Sequence, residues 1–387
     1  MTVLLKGGMV YQNHEFVRAD VRMQDGVIAA VGTGLSETDA QVVDVTGKRL
    51  VPGFLDIHTH GAVGVDVNAA KAEDYEKICR FHAEQGTTGW LCSVLTDTRE
   101  QTLWCIEEYK KWKSMEHKGS RLLGIHLEGP FLSPQYKGAM PEHLLQKPNL
   151  ELVKEYQEAA EGEIRYITVS PEIEGMVDFI PKLCEQGMAV AIGHSGADYD
   201  TARKAIAGGA AASTHTGNAM RLLHQHEPAI WGAVLEDEKV YCEMICDGRH
   251  LHPGTVRLIL KTKGLDRAVA VTDSIMAAGL PDGNYKLGVN DVVVVDGDAR
   301  LTHGGSRAGS TLTSGKALLN LLEFTGRSLE EILPLMTENP AKLIGVYDRV
   351  GSLEEGKDAD VVVLDETCRI EATYVKGESV FARQCEA

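Results

Sequence analysis

The 387-residue chain predicts an α/β fold: a (β/α)8 TIM-like barrel carrying a small β-sandwich domain built from both termini. Three observations predict it. The middle of the chain alternates eight short β-rich runs with helical stretches, the two ends share one texture of short strands and turns, and histidines and acids fall where the central runs end.

At the N-terminus, VLLKGG, FVRADVRM, VIAAVG and QVVDVTGKRLV are short apolar runs, with Gln24-Asp25-Gly26 as a hairpin turn between two of them. The same rhythm returns after residue 350, where Lys357-Asp358-Ala359-Asp360 leads into VVVLD and Arg369 to Phe381 reads as two more strands. Residues 1–51 and 346–387 are therefore expected to form the β-sandwich, and residues 52–345 the barrel.

The barrel strands are expected at Val51–His58, Thr88–Val94, Leu122–Glu128, Ile164–Ser170, Met188–His194, Ala211–His215, Val240–Asp247 and Ala268–Asp273. Amphipathic periodicity predicts helices at Ala72–Gln85, Glu174–Glu185, Tyr199–Ala207, Pro253–Lys263 and Ser314–Thr325. The glycine-rich stretch from Asp273 to Ser310 reads as an insertion.

Composition excludes several classes of function. A net charge of −17 argues against nucleic acid or an anionic membrane as partner, because both are polyanions. No run approaches the ~18 apolar residues of a spanning helix, and MTVLLKGG reaches glycine too early for a signal peptide, so a cytoplasmic location is expected. Eight scattered cysteines without paired spacing read as reduced, with Cys242 and Cys246 in the core. The basic cluster Lys110, Lys111 and Lys113 reads as a solvated helix face.

His58 and His60 close the first predicted strand, Glu128 the third, His194 the fifth, His215 the sixth and Asp273 the eighth. In a parallel barrel those ends converge on one mouth. Singly, each has an ordinary explanation: a lone histidine commonly bonds within a core, and Glu128 or Asp273 could cap a helix. Jointly they predict a metal site. Imidazoles with carboxylates and no thiolate suit a divalent metal, Zn or Fe, one or two per chain, with a coordination position open for water. Such a metal turns bound water into hydroxide near neutral pH, and Asp273 could act as general acid/base in cleaving an amide. His14, His82, His117, His143, His224 and His303 lack this placement and read as solvated.

The segments VPGFLDIHTHG, HLEGPF, GHS, STHTGNAM, CDGRH and VTDS resemble the amidohydrolase superfamily, and within it the N-acetylglucosamine-6-phosphate deacetylases. The closing ENPAKLIG and GSLEEGKDADVVVLD extend the resemblance over nearly the whole chain. It implies Glu128, His194 and His215 as metal ligands, Asp273 as catalytic acid/base, and a binuclear centre because His58 and His60 are retained. It implies substrate contacts at Ala139, Met140, Asn218, Ala219, Asp247, Gly248, Arg249, His250, Arg307, Ala308 and Gly309, and a homodimer.

Three positions depart from that pattern. Met140 stands where a histidine or glutamine contacts the acetyl group, His226 where an arginine from the neighbouring subunit holds phosphate, and Arg307 where the family has an apolar residue. Arg307 is thus a candidate replacement cation. The expected reaction is deacetylation of N-acetylglucosamine 6-phosphate, with N-acetylgalactosamine 6-phosphate or another N-acyl amino sugar as the alternative substrate. A cyclic amidohydrolase would call for a lysine at a strand end, and a non-catalytic scaffold for loss of a ligand or of the acid/base. Neither applies.

Overall fold

The computed structural model describes residues 2–384. Eight strands form the central sheet: β1 (Phe54–Thr59), β2 (Thr87–Leu95), β3 (Arg121–Glu128), β4 (Ile164–Val169), β5 (Ala189–Ile192), β6 (Ala210–Ser213), β7 (Tyr241–Ile245) and β8 (Ala268–Val271). Each is parallel to its neighbour. Closure comes just beyond β8, where Asp273 donates its N–H to the His58 carbonyl at 2.8 Å and Ser274 bridges Thr59. Strands covered on both faces carry near-continuous apolar sequence, and all nine residues of β2 are buried.

Helices fill the crossovers. Tyr199–Ala207, Pro253–Lys263 and Ser314–Thr325 form over the expected residues, and the first and last begin at side-chain caps from Asp198 and Thr313. Tyr75–Glu84 starts late because Ala72–Asp74 is a 3-10 turn, and Met176–Glu185 starts after Gly175, whose φ is 81°. Arg99–Ser114, Leu150–Ala159 and Ala229–Glu236 are further crossover helices.

The expected first barrel strand is two strands. Arg49–Pro52 pairs with Val361–Leu364 in the terminal sheet, and the barrel begins at Phe54. Gly53 makes the break. A Cβ there would lie 2.0 Å from Thr88 Oγ1, so only glycine lets the chain cross so close to β2.

The ends of the chain join in one eight-stranded sheet that runs from Thr2 to Pro52 and from Val361 to Ala382. This sheet is the β-rich unit expected from both termini. A bridge between Val27 and Asp358 links its distant strands, around a separate core that includes Leu5, Val21, Met23, Ile28, Val361 and Val363. The glycine-rich insertion is a three-stranded antiparallel meander, Gly283–Leu287, Asn290–Val295 and Asp298–Leu301. Its Leu287, Val292, Val294 and Ala299 pack with Leu95, Leu132, Met140 and Ile275 at the barrel mouth.

No helix among the described residues is long and apolar enough to cross a membrane. The described cysteines are all free, with Cys242 and Cys246 fully buried, and Cys385 lies outside the described residues. Lys110, Lys111 and Lys113 pair with Glu161, Glu108 and Glu163 at the surface. His14, His143, His224 and His303 are exposed, but His82 is not. Its ring packs 5.1 Å from Trp90, its Nε2 has no partner among the described residues, and burial pushes its pKa down to about 3. The sequence offered no sign of this, since His82 is one polar residue on an otherwise amphipathic helix.

Between about pH 6.5, where an unfolded histidine titrates, and about 3, the unfolded chain binds a proton at His82 that the folded chain refuses. Folding stability is therefore lost as pH falls through that window, by up to about 1.4 kcal/mol per pH unit from this one group. Urea unfolding across the window should show a steeper pH dependence for the wild type than for His82→Leu. Equal slopes would show that His82 is not buried neutral.

Candidate metal centre

Backbone conformation at the strand ends aims the side chains inward. His58 and Glu128 lie within β1 and at the end of β3, and His60, two residues after His58, shares its face. His194, His215 and Asp273 each stand two residues past β5, β6 and β8, in the left-handed region with φ of 47°, 29° and 49°. Non-glycine residues hold that conformation at a cost of about 1–3 kcal/mol each, and only where neighbours impose it. Here the neighbours are visible. Ser170 Oγ donates to the His194 carbonyl at 2.6 Å, and His215 N–H donates to Glu243 Oε2 at 2.9 Å. Asp273 donates to His58 and accepts from Ser310 N–H at 2.7 Å.

The six side chains form two groups, His58–His60–Asp273 and Glu128–His194–His215, with ligand atoms in each within 4.8 Å of one another. Glu128 touches both groups. Its Oε1 lies 3.1 Å from His194 Nε2, 3.3 Å from His215 Nε2 and 3.4 Å from His58 Nε2, and its Oε2 lies 3.2 Å from His60 Nε2. Asp273 Oδ1 is 3.2 Å from His60 Nε2.

Four Nε2 atoms thus face one centre, and three of the opposite nitrogens are tied back. His58 Nδ1 meets Glu243 Oε2 at 3.1 Å, His60 Nδ1 the Ser93 carbonyl at 3.0 Å, and His194 Nδ1 the Tyr136 carbonyl at 2.8 Å. Acceptors on Nδ1 select the tautomer whose Nε2 lone pair points inward. His215 Nδ1 is buried without a partner among the described residues. Imidazole lone pairs and carboxylates gathered in this way fit a divalent cation.

The electrostatics agree. Burial opposes charge on His58, yet Glu128 and Glu243 hold its pKa well above the ordinary range. Burial likewise opposes charge on His60, but hydrogen bonds with Asp273 and Glu128 raise it to about 9. Against the same burial, the histidines hold the Glu128 carboxyl well below its ordinary range and Asp273 below its own. The field that draws protons here would draw a divalent cation more strongly. His126, beneath the cluster, is held well down by burial and by His58, and bonds Ser93 Oγ at 3.0 Å and Thr168 Oγ1 at 2.9 Å.

A cavity of about 310 Å³ opens above the cluster. Its wall includes Ala139, Met140, Asn218, Ala219, His250, Arg307, Ala308 and Gly309, all expected there. Asp247 stands behind, bonded to His250 Nδ1 at 2.7 Å. Gly309, at φ 58°, has no room for a Cβ, which would lie 2.4 Å from Ile275 Cγ2. Besides Asp247, three expected contacts are not in the wall. His226 is exposed on the Arg221–Glu227 loop beside His224, Gly248 is exposed against Phe324, and Arg249 points its guanidinium at the Asp296 carbonyl. Arg307 reaches the wall paired with Asp298, its Nε at 2.9 Å. Sequence reasoning missed Leu95, Gln135, Tyr136, Leu287 and Ser306 in the wall, and His126 and Glu243 below it. Only Glu243 left a trace, as a lone charge in the apolar run VYCEMIC.

Residues 49–380 match the amidohydrolase family. The chain is 33% identical to the N-acetylglucosamine-6-phosphate deacetylase of Bacillus subtilis, over 96% of this chain and 95% of that one. It is also 33% identical to the N-acetylgalactosamine-6-phosphate deacetylase of Escherichia coli O157:H7, over 92% and 93% of the two chains. Among solved structures it resembles a mutant N-acetyl-D-glucosamine-6-phosphate deacetylase from Mycobacterium smegmatis in complex with N-acetyl-D-glucosamine-6-phosphate. The TM-score is 0.91 at 32% identity, covering 98% of this chain and 99% of the other. With its barrel, its two candidate ligand groups and this similarity along its length, the chain belongs to the amidohydrolase family.

Proposed function

We propose that the chain hydrolyses the acetamide of N-acetylglucosamine 6-phosphate to glucosamine 6-phosphate and acetate, using two divalent metals, Zn or Fe. The observation that carries this reading is the two adjoining groups His58–His60–Asp273 and Glu128–His194–His215, with Glu128 in contact with both, at a cavity. Glu128, His194 and His215 would hold one metal, and His58, His60 and Asp273 the other. When bound, the metals supply the Lewis acidity that acidifies water and polarises the amide carbonyl.

The chain's own residues do the rest. Asp273, ionised and next to His60, takes a proton from the attacking water and delivers it to the nitrogen as the C–N bond breaks, so that acetate and the free amine leave. Met140, almost fully buried, offers the acetyl group a dry apolar surface and no hydrogen bond. Asn218, Ala219 and His250 line the wall where the sugar would lie, and Asp247 orients His250.

The phosphate needs a cation. Arg307 engages Asp298 through Nε and Nη2, and Nη1 has no partner among the described residues, so that edge is free for a phosphate oxygen. His226, with Gly248 and Arg249, lies outside one chain's cavity wall. Its exposed loop also carries Leu222 and Leu223, 70% and 49% exposed, an apolar pair suited to a second copy of the chain in a homodimer. Free, scattered cysteines fit a cytoplasmic location.

The test is acetate release from N-acetylhexosamines with and without a 6-phosphate. N-acetylglucosamine 6-phosphate should be cleaved best. Faster release from N-acetylgalactosamine 6-phosphate would instead support the second reading, which the Escherichia coli relative favours. No release from any of them would overturn both. Asp273→Asn should lower kcat by about 10²-fold or more with little change in KM. Normal turnover at full metal occupancy would remove Asp273 from the mechanism. Arg307→Leu should reduce kcat/KM for the phosphorylated sugar by about 2–4 kcal/mol and hardly alter the unphosphorylated one. Equal effects on both would show that Arg307 does not bind phosphate.

A further inference from the structure

Glu243 lies in β7 between Cys242 and Met244, and all three are fully buried. A carboxylate sealed from water is strongly disfavoured unless donors surround it. Three donors from three parts of the barrel end on this one. Tyr166 Oη, from β4, donates to Oε1 at 2.6 Å. His58 Nδ1, from β1, and the His215 backbone N–H, beyond β6, reach Oε2 at 3.1 Å and 2.9 Å. The Glu243 carbonyl also accepts from Thr216 N–H at 2.9 Å, which ties the same turn a second time.

Two of those donors belong to candidate metal ligands, one in each group. Glu243 is not in the cavity wall, so it does not meet the substrate. His60 and His194 lean on neutral backbone carbonyls, whereas His58 leans on a carboxylate. A charged acceptor fixes the imidazole tautomer more firmly and makes its other nitrogen a stronger donor to a metal. The ring of His126, 4.6 Å from that of His58 and nearly perpendicular, packs beside it.

We propose that Glu243 is the positioning residue of the metal centre. It holds the His58 ring with Nε2 toward the centre, and it clamps the left-handed turn that aims His215 inward. This deepens the metal-dependent reading above and rests on it.

Zn²⁺ titration of the metal-free protein against a chromophoric chelator tests the inference without any substrate, and Co²⁺ absorption reports the ligand geometry. Glu243→Gln keeps the size and shape of the side chain. It should bind Zn²⁺ about 10–100-fold more weakly at the His58–His60–Asp273 position and change the Co²⁺ spectrum, while circular dichroism shows a folded barrel. Wild-type affinity, stoichiometry and Co²⁺ spectrum in the folded variant would overturn the proposal, since a group that only fills the core would leave them unmoved.

If Glu243→Gln does not fold, Tyr166→Phe removes only the hydroxyl that steadies Oε1. Weaker Zn²⁺ binding in that variant supports the role, and unchanged binding overturns it. Absence of acetate release in a wild type whose Zn²⁺ binding does depend on Glu243 would sink the proposed reaction and leave the positioning role standing. A wild type that binds no Zn²⁺ would sink both.

Discussion

A sheet of eight parallel strands has two open edges unless its first strand meets its last, and the meeting of β1 with the segment after β8 is the constraint on which the rest of this protein depends. The contact is made by functional residues. Asp273 donates its backbone N–H to the His58 carbonyl and receives one from Ser310, so the hydrogen bonds that close the barrel also put the Asp273 carboxylate beside His60. Closure and site assembly are the same event. Residues more than 200 positions apart in sequence become neighbours because the sheet has no other way to satisfy its edges.

Closing the barrel around polar residues has a physical consequence. Beneath the cluster the interior is a hydrogen-bonded layer of His126, Ser93, Thr168, Thr214, Tyr166 and Glu243 in place of the branched aliphatics usual in a barrel core. Buried polar groups that bond one another hold each other in one arrangement. Rigidity is the gain. Four imidazoles that all present Nε2 to one point would repel or rotate apart unless their far nitrogens and their backbone turns were held, and this layer holds most of them. Left-handed His194, His215 and Asp273 are local strain maintained by that surrounding order.

The meander of residues 283–301 is a different kind of element. It shares one small core with Leu95, Leu132 and Met140, and Leu95, Met140 and Leu287 make the cavity wall partly apolar. Met140 takes part in both. Asn290 Nδ2 donates to the Ala139 carbonyl at 2.7 Å, and Gly288 N–H donates to Asp66 Oδ2 at 2.7 Å, so the meander is fastened to two barrel loops. The pairing of Arg307 with Asp298 is internal to this fastened unit and the segment that leaves it.

Sequence by itself determined the alternation of strands and helices, the terminal sheet, and the position of six potential ligands at strand ends, because these follow from periodicity and from local turn chemistry. It also marked Gly53 and Gly309 as glycines without saying why. Only the tertiary structure decided that His194, His215 and Asp273 turn inward through positive φ, since that conformation is imposed by Ser170, Glu243 and Ser310 from distant parts of the chain. The same holds for His82 and Glu243. Each is a single polar letter in an amphipathic or apolar run, and whether it faces water, a tryptophan or a ligand depends on which element is packed across from it. His226 and Arg249 show the converse: local motif places them near the mouth, but the loops that carry them direct them away from the cavity of their own chain. Periodicity is a property of neighbours in sequence and could be read directly. The direction of a side chain at a strand end is a property of neighbours in space, and it existed only once the barrel had closed.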